Sequence, residues 1–528
     1  MKKWKTYNSQ LVNGSYDSIV IGSGIGGLCT AALLSMQGQK VLVLEKHFKI
    51  GGWTHTFKRN NYEWDVGLHY IGQVNNTNSI VRRLFDLISE SKLEWCPMDN
   101  NYDRIIFPDN AYDFRAPRTQ FIDDMINYFP REESAILSYM KLMDDVVSSS
   151  RNYFSQKALS GLFDTVSYPF MTRKFFKYSD KTTLDVLNSL SQNKELIGVL
   201  TGQWGDYGLP PSRSSFAMHA MVARHYLDGA SYPSGTSRRI AETISDVIEK
   251  NGGSLAVNAG VREIIVSNHR SVGVLMENGD KIDSRYVISG AGVVNTFTNM
   301  LGGNSAKEIS VVQKMKTIQQ TKSYVCLHLG LNQSATDLKI KNTNLWIYPG
   351  YDHDNAVEKY IQNPESEFPV VYVSFPSAKD DSWNEKHPNT ATIEAITLSR
   401  MSWYDNWNSL KWKKRGDTYE YHKQELSNRI LETVLKHVDG IENHIDYNEL
   451  STPLTVRDLA NYPKGEMYGL DHSPDRFRQR WLRPNSGIKN LFFTGQDITT
   501  VGVSSALFSG LLTASTVLNK NLFGLLKK

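Results

Sequence analysis

The sequence predicts an α/β protein that opens on a Rossmann-type unit and carries at least one further domain. Three observations lead there. "YDSIVIGSGIGGLCTAALLSMQGQKVLVLEKHFKIGGWTHTF" (Tyr16 to Phe57) alternates short aliphatic runs with glycine clusters. A second block of glycines and small apolar residues, "NLFFTGQDITTVGVSSALFSGLLTAS" (Asn490 to Ser515), lies at the far end of the chain. The 528 residues exceed what a single core organises and imply two to four domains.

The first block reads in order as strand, glycine turn, helix and strand, the start of a βαβ unit. Ser18 to Ile21 is a short apolar run ending at Gly22, the pattern of a buried strand. Leu28 to Met36 is rich in small and aliphatic residues and stops near Gly38, as a helix does. Val41 to Leu44 is a second buried strand. The glycines then divide the work. Gly22 permits the tight turn, Gly24 lets a pyrophosphate approach the backbone, and Gly27 brings helix and strand close, with Gly26 beside them. The free N–H groups at the helix start face the phosphates. Glu45 follows Gly22 by 23 residues, next to Lys46. A carboxylate there accepts ribose hydroxyl protons and repels a 2′-phosphate. Gly51 and Gly52 add another side-chain-free surface, which an FAD stretched across the domain uses and a nicotinamide dinucleotide rarely needs.

The C-terminal block reads as a strand (Leu491 to Phe493), a turn carrying an acid (Gly495-Gln496-Asp497) and a helix from Val503. Its N-terminus is placed to face the pyrophosphate or the flavin ring, with Asp497 for a ribityl hydroxyl. Whole-chain features exclude several classes. The 59 basic and 55 acidic residues give a net charge of +4, too weak for a nucleic-acid binder. Cys29, Cys96 and Cys326 are far apart with no CxxC, which argues against zinc, a redox dithiol and a disulfide scaffold and fits a reducing compartment. The polar start has no signal-peptide core, and no apolar run reaches 18 residues, so a cytoplasmic location is expected. There is no GxSxG, no HExxH and no metal-binding histidine pair, so no metal is expected.

The two cofactor blocks, in this order and at opposite ends of the chain, resemble the FAD-dependent family of phytoene desaturases, carotenoid isomerases and retinol saturases. "WDVGLHYIGQV" (Trp64 to Val74) and "GQWGDYGLPPSRSSFAMHAMVARHYLDGASYPSGTSRRIAETI" (Gly202 to Ile244) are similar to the retinol saturase branch, and "GEMYGLDHSPDRF" (Gly465 to Phe477) looks like the family's C-terminal substrate-side motif. Vertebrate retinol saturases begin with a secretory-type leader, whereas this start has none, so a microbial or cytosolic relative is expected. The resemblance implies a discontinuous, amine-oxidase-like FAD-binding domain at 16–74, 232–293 and 484–519. A mixed-sheet α+β substrate domain would occupy 75–231 and 294–483. The middle piece fits independently, as strands with turns at Gly252-Gly253, Asn268-His269 and Asn278-Gly279-Asp280. In such folds the backbone of a residue like Val261 meets the adenine.

The resemblance further implies action on a C=C bond of an apolar polyene lipid, a retinoid or carotenoid, with an external electron donor or acceptor. Desaturation or cis–trans isomerisation are the alternatives within the family. A non-redox lipid escort, like the Rab GDP-dissociation inhibitors that share the fold, is the alternative outside it. A polyene needs an apolar tunnel ending at the flavin. "GQWGDYG" and "SYVCLHLGL" show the aromatic composition expected of it. Reaching lipid requires a membrane contact. The segment 151–181 offers one, mixing Phe154, Phe163, Tyr168, Phe170, Phe175 and Phe176 with Arg173, Lys174 and Lys177. The tail "NKNLFGLLKK" is a weaker candidate. Polar groups expected near the ring are His69 and Tyr70, then His219, His225 and Tyr232.

Overall fold

The computed structural model describes residues 4–9, 14–159, 161–301 and 318–527; residue 160 of the 151–181 segment, residues 302–317 of the 294–483 stretch and the final Lys528 of the tail lie outside them. The first βαβ unit forms as read. Tyr16–Ile21 pairs in parallel with Val41–Leu44, Ile19 opposite Leu42. Both strands are covered on both faces, which is why their aliphatic residues run on without alternating with polar ones. The connecting helix is Ile25–Met36, buried nearly all round because the helices Arg238–Lys250 and Val503–Leu518 pack along it. It starts at Ile25 rather than at the predicted Leu28. Periodicity passes over glycines, yet Gly26 and Gly27 are in its first turn. A Cβ on Gly27 would lie 2.3 Å from the carbonyl oxygen of Gly22, so only glycine lets helix and turn close up.

An eight-stranded sheet grows from this unit. Its order is Lys5–Thr6, Ser254–Val257, Val41–Leu44, Tyr16–Ile21, Lys281–Ser289, Arg270–Met276, Val261–Ser267, with Leu491–Phe493 paired to Lys281–Ser289. The strands from Lys5–Thr6 to Lys281–Ser289 are parallel, as is Leu491–Phe493, and the last two of the order run antiparallel. The hairpin turn between Val261–Ser267 and Arg270–Met276 is Asn268-His269, as predicted, and both residues take positive φ (48° and 58°). The C-terminal strand and helix fall at Leu491–Phe493 and Val503–Leu518.

A second, seven-stranded sheet has the order Ile445–Ser451, Ser323–Leu331, Ala391–Ser399, Val371–Ser374, Asn344–Ile347, Asn101–Ile106, Ala111–Arg115. Its neighbours are antiparallel except for Asn344–Ile347 with Asn101–Ile106, so the sheet is mixed. The two sheets are tied together. The hairpin Thr56–Arg59/Tyr62–Asp65 leaves the first sheet and reaches the second: Trp64 Nε1 donates to the Leu329 carbonyl at 2.9 Å and Tyr62 Oη to Asp446 Oδ2 at 2.9 Å. A small antiparallel sheet joins Ile71–Gly72, Ala230–Pro233 and Trp95–Pro97, and its central strand runs across position 231/232.

The aromatic segment is two separate elements rather than one interfacial stretch. Phe154 ends the helix Glu133–Gln156 and is buried, as are Phe175 and Phe176 at the end of the helix Gly161–Ser179. The exposed apolar residues of that second helix lie in its first half: Leu162, Phe163, Val166 and Phe170 are 83%, 81%, 66% and 80% exposed. The C-terminal tail is not a free amphipathic element. Leu522 and Leu526 are buried in the core around the first helix, and Phe523 packs beside Phe508.

Candidate active site

One cavity of about 1320 Å³ dominates the described residues. That exceeds the ~300–1,000 Å³ of ordinary small-molecule sites, so it has room for a cofactor and a second long ligand. Its wall at one end is the glycine surface. Gly22, Gly24, Gly26, Gly27, Glu45, Lys46, Gly51, Gly52, Val261, Gly495, Asp497 and Val503 all line it. Gly24 and Gly51 are bridge partners, and a Cβ on Gly52 would sit 2.9 Å from the Gly24 Cα, so the two glycine runs are pressed together. A Cβ on Gly24 would meet nothing within 4 Å, because it would stand in the cavity. The helices beginning at Ile25 and Val503 both open onto this wall. Their unpaired first-turn N–H groups favour an anion.

The two acids in the wall are partly committed. Glu45 Oε2 accepts from the backbone N–H and the hydroxyl of Ser23 (2.8 and 2.6 Å), and Oε1 accepts from the His47 N–H at 2.8 Å. A carboxylate offers about four acceptor sites, which leaves one for a ribose hydroxyl. Asp497 takes the Val293 N–H on Oδ2 (2.9 Å) and the Leu470 N–H on Oδ1 (3.2 Å). It therefore ties the turn after Leu491–Phe493 to two other segments, a job the expectation of a ribityl contact did not include. Lys46 reaches Glu277 at 3.0 Å beside Val261.

The candidates for proton chemistry separate. His69, Tyr70 and His225 line the cavity, whereas His219 and Tyr232 do not. His219 is fully enclosed between Tyr139 (Nε2 to Oη 2.8 Å) and Tyr207 (Nδ1 to Oη 3.1 Å), and burial holds its pKa down at about 3. Tyr232 donates to Asp65 inside the protein. His225 accepts the Gly72 N–H on Nε2 at 2.9 Å; burial first and the Arg224 charge second lower it to about 4. A ring that accepts there is neutral. His69 Nδ1 lies 3.1 Å from Glu394 Oε2, and His328 Nδ1 lies 3.5 Å from Glu394 Oε1. Burial alone would raise Glu394, but the two imidazoles outweigh it and hold the carboxylate below its usual range. The carbonyl of His69 accepts from Lys379 at 2.9 Å, whose own pKa burial lowers to about 7.

Sequence reading missed the acids behind Tyr70. Its hydroxyl is 3.0 Å from Asp103 Oδ2 and 3.1 Å from Asp206 Oδ2. Asp103 is further supported by Asn344 (2.9 Å) and Gln203 (2.7 Å), while burial lifts it to about 6. Asp206, in the short turn Trp204–Asp206, lines the cavity; burial first and the Asp103 charge second push it well above the carboxylate range. Around it are aromatic faces: Tyr226 stacks on Tyr70 with centroids 4.2 Å apart, and Trp346 packs on Tyr372 at 4.4 Å. The one available signal was an aspartate inside the aromatic run "GQWGDYG".

These residues fit an extended adenine-linked flavin. The cradle is open where a phosphate would come, an acid is left with spare acceptor capacity, and two helix starts converge on it. Comparison with known proteins agrees. A family described as flavin-containing amine oxidoreductase matches residues 25–518. The chain is 34% identical over 526 residues to all-trans-retinol 13,14-reductase of Danio rerio, covering 96% of this chain and 86% of that protein. It is 33% identical over 542 residues to the Homo sapiens enzyme of that name, covering 99% and 89%. Prolycopene isomerase of Daucus carota is 25% identical over 530 residues, covering 95% and 80%. Among solved structures, putrescine oxidase bound to putrescine superposes with a TM-score of 0.64 at 14% identity over 96% of this chain and all of that one, a likeness of fold.

Proposed function

The chain belongs to the flavin-containing amine oxidoreductase family and is an FAD-dependent oxidoreductase, and from that premise we propose that it saturates a carbon–carbon double bond of an apolar polyene lipid, a retinoid or carotenoid. The observation that carries the reading is the cavity of about 1320 Å³, which runs from the glycine cradle into an aromatic interior. The relatives named for retinol reduction support it. Reduced FAD supplies a hydride when bound. The chain does the rest. Glu45 and the glycine runs hold the cofactor's ribose and pyrophosphate ends. The rings of Tyr226, Tyr372 and Trp346 take a flat conjugated chain and keep out water. His69, steadied by Glu394, is the nearest expected candidate for holding the proton that the second carbon needs.

The lipid reaches the cavity from a membrane surface in this reading. Among the described residues no helix is long and apolar enough to cross a bilayer. The outward face of Gly161–Ser179 supplies a peripheral contact instead, with Arg173, Lys174 and Lys177 exposed toward its end for anionic headgroups. Arg151, Phe154 and Ser155, at the end of the preceding helix, line the cavity. The external electron donor and a cytoplasmic location belong to the same proposal.

The test is anaerobic incubation of the reduced holoenzyme with all-trans-retinol and with carotenoids, followed by mass analysis. A gain of two hydrogens is expected. A loss of two in a parallel incubation with the oxidised holoenzyme assigns a desaturase, and an unchanged mass with altered retention an isomerase. No product from any polyene refutes the proposal.

A further inference from the structure

Two carboxyl groups, Asp103 and Asp206, face one phenol proton on Tyr70. That proton serves one of them at a time. Asp103 also accepts from Asn344 and Gln203, and these neutral donors are what a buried carboxylate needs. The Asp206 carboxyl has no hydrogen-bond partner but Tyr70 among the described residues. Ionising both acids across a single phenol in a buried site is costly, so the poorly supported one keeps its proton. Asp206 is therefore a neutral carboxylic acid, and its side chain lines the cavity.

A second polar group waits in the same wall. Tyr324, on the strand Ser323–Leu331, is 95% buried and lines the cavity. Its hydroxyl has no partner among the described residues. It lies beside the turn that carries Asp206: a Cβ on Gly208, two residues further on, would stand 3.3 Å from the Tyr324 hydroxyl. A buried hydroxyl without a partner is costly. The rest of this end is the aromatic surface of Tyr226, Tyr372, Trp346 and Tyr468. An apolar ligand would cover the rings, leave the Tyr324 hydroxyl unsatisfied and leave the Asp206 carboxyl with Tyr70 alone. A ligand carrying one oxygen at its end would satisfy both.

We propose that this end of the cavity recognises a terminal hydroxyl or carbonyl oxygen of the lipid, Asp206 donating its carboxyl proton to that oxygen and Tyr324 making the second hydrogen bond. The inference rests on the lipid reading above and narrows it: the substrate is an oxygenated polyene rather than a pure hydrocarbon. Tyr70 and Asp103 act behind Asp206 as positioning residues. An alcohol uses the pair as donor and acceptor together, and a carbonyl accepts from both.

The experiment measures equilibrium binding to the FAD-loaded protein, by quenching of tryptophan fluorescence. The probes are all-trans-retinol, all-trans-retinal and the matching polyene in which a methyl group replaces the oxygen-bearing carbon. Wild type is expected to bind the oxygenated probes at least 10-fold more tightly than the hydrocarbon. Asp206→Leu and Tyr324→Phe each lower that preference about 5- to 100-fold and leave hydrocarbon affinity and the 450 nm flavin absorbance unchanged. Asp206→Asn, a neutral donor like the protonated acid, keeps most of the preference. That rescue would not occur if the side chain only filled space or acted as a charge. Equal binding of alcohol and hydrocarbon by wild type, or an Asn variant as poor as Leu, overturns this site and leaves the lipid reading standing. A yellow, folded protein that binds none of the three overturns both.

Discussion

A valine at position 24 separates binding from folding. The Gly24 backbone has φ −60° and ψ 164°, open to any residue, and a Cβ there meets no protein atom within 4 Å. The apoprotein should lose no more than about 0.5 kcal/mol, as at an unconstrained position. The side chain would instead occupy the space in front of the first-turn N–H groups, where a pyrophosphate must approach. Each charge-assisted hydrogen bond lost there is worth about 1.5–3 kcal/mol. Gly24→Val is thus expected to weaken FAD at least ~10-fold for one lost bond and beyond ~150-fold for two. Gly27→Val is the contrasting case. Its Cβ would lie 2.3 Å from the Gly22 carbonyl oxygen, so the helix would have to leave the turn and the fold would fail. Titrating apoprotein with FAD, read by loss of flavin fluorescence, gives the affinity, and thermal unfolding of the same apoprotein gives the stability. Gly24→Val that melts like wild type and binds FAD as tightly would refute the placement of the cofactor.

Three further perturbations have defined outcomes. Burial would raise Glu63, but His387, Thr56, Arg238 and Lys58 outweigh it and bring it to about 2 against 4.5 for a free glutamate. A depressed carboxyl stabilises above its unfolded pKa, so about 3 kcal/mol is present above pH 4.5 and disappears toward pH 2. Denaturant melts of wild type and Glu63→Gln should differ at neutral pH and converge in that window. Glu394→Gln removes the carboxylate that faces His69 and His328 and should cost about 1–3 kcal/mol in chemical denaturation, the penalty for leaving buried polar groups without their partner; an unchanged unfolding midpoint would show that the two rings do not depend on it. Phe163→Glu with Phe170→Glu should abolish co-sedimentation with phosphatidylserine-containing vesicles at unchanged flavin content, and undiminished sedimentation would remove the helix from the membrane contact.

The cofactor half of the fold was legible because its signals are local. Gly22, Gly24 and Gly27 stand in a fixed frame between two aliphatic runs, and Glu45 ends the second, so spacing alone places them. The Asn268-His269 turn was visible for the same reason. The second sheet was not: Ser323–Leu331 and Ala391–Ser399 pair with strands distant in sequence, and nothing local states the partner. The histidines show the limit at the site. His69 and His219 look alike in the chain, yet one faces the cavity and the other is enclosed between two tyrosines. Asp206, Glu394 and Tyr324 acquire their character only from groups that folding brings beside them, so composition marked their neighbourhoods without naming them.

The strand Lys281–Ser289 takes Tyr16–Ile21 on one edge and Leu491–Phe493 on the other, and the helix following the latter packs on Ile25–Met36. On a ribosome these partners emerge hundreds of residues apart. The early βαβ hairpin must wait, its aliphatic faces uncovered, until nearly the whole polypeptide has been made. Assembly of the cofactor cradle is thereby linked to completion of the intervening chain that builds the second sheet, so a prematurely terminated chain would expose sticky surface to chaperones and proteases rather than release a half-enzyme able to take up flavin.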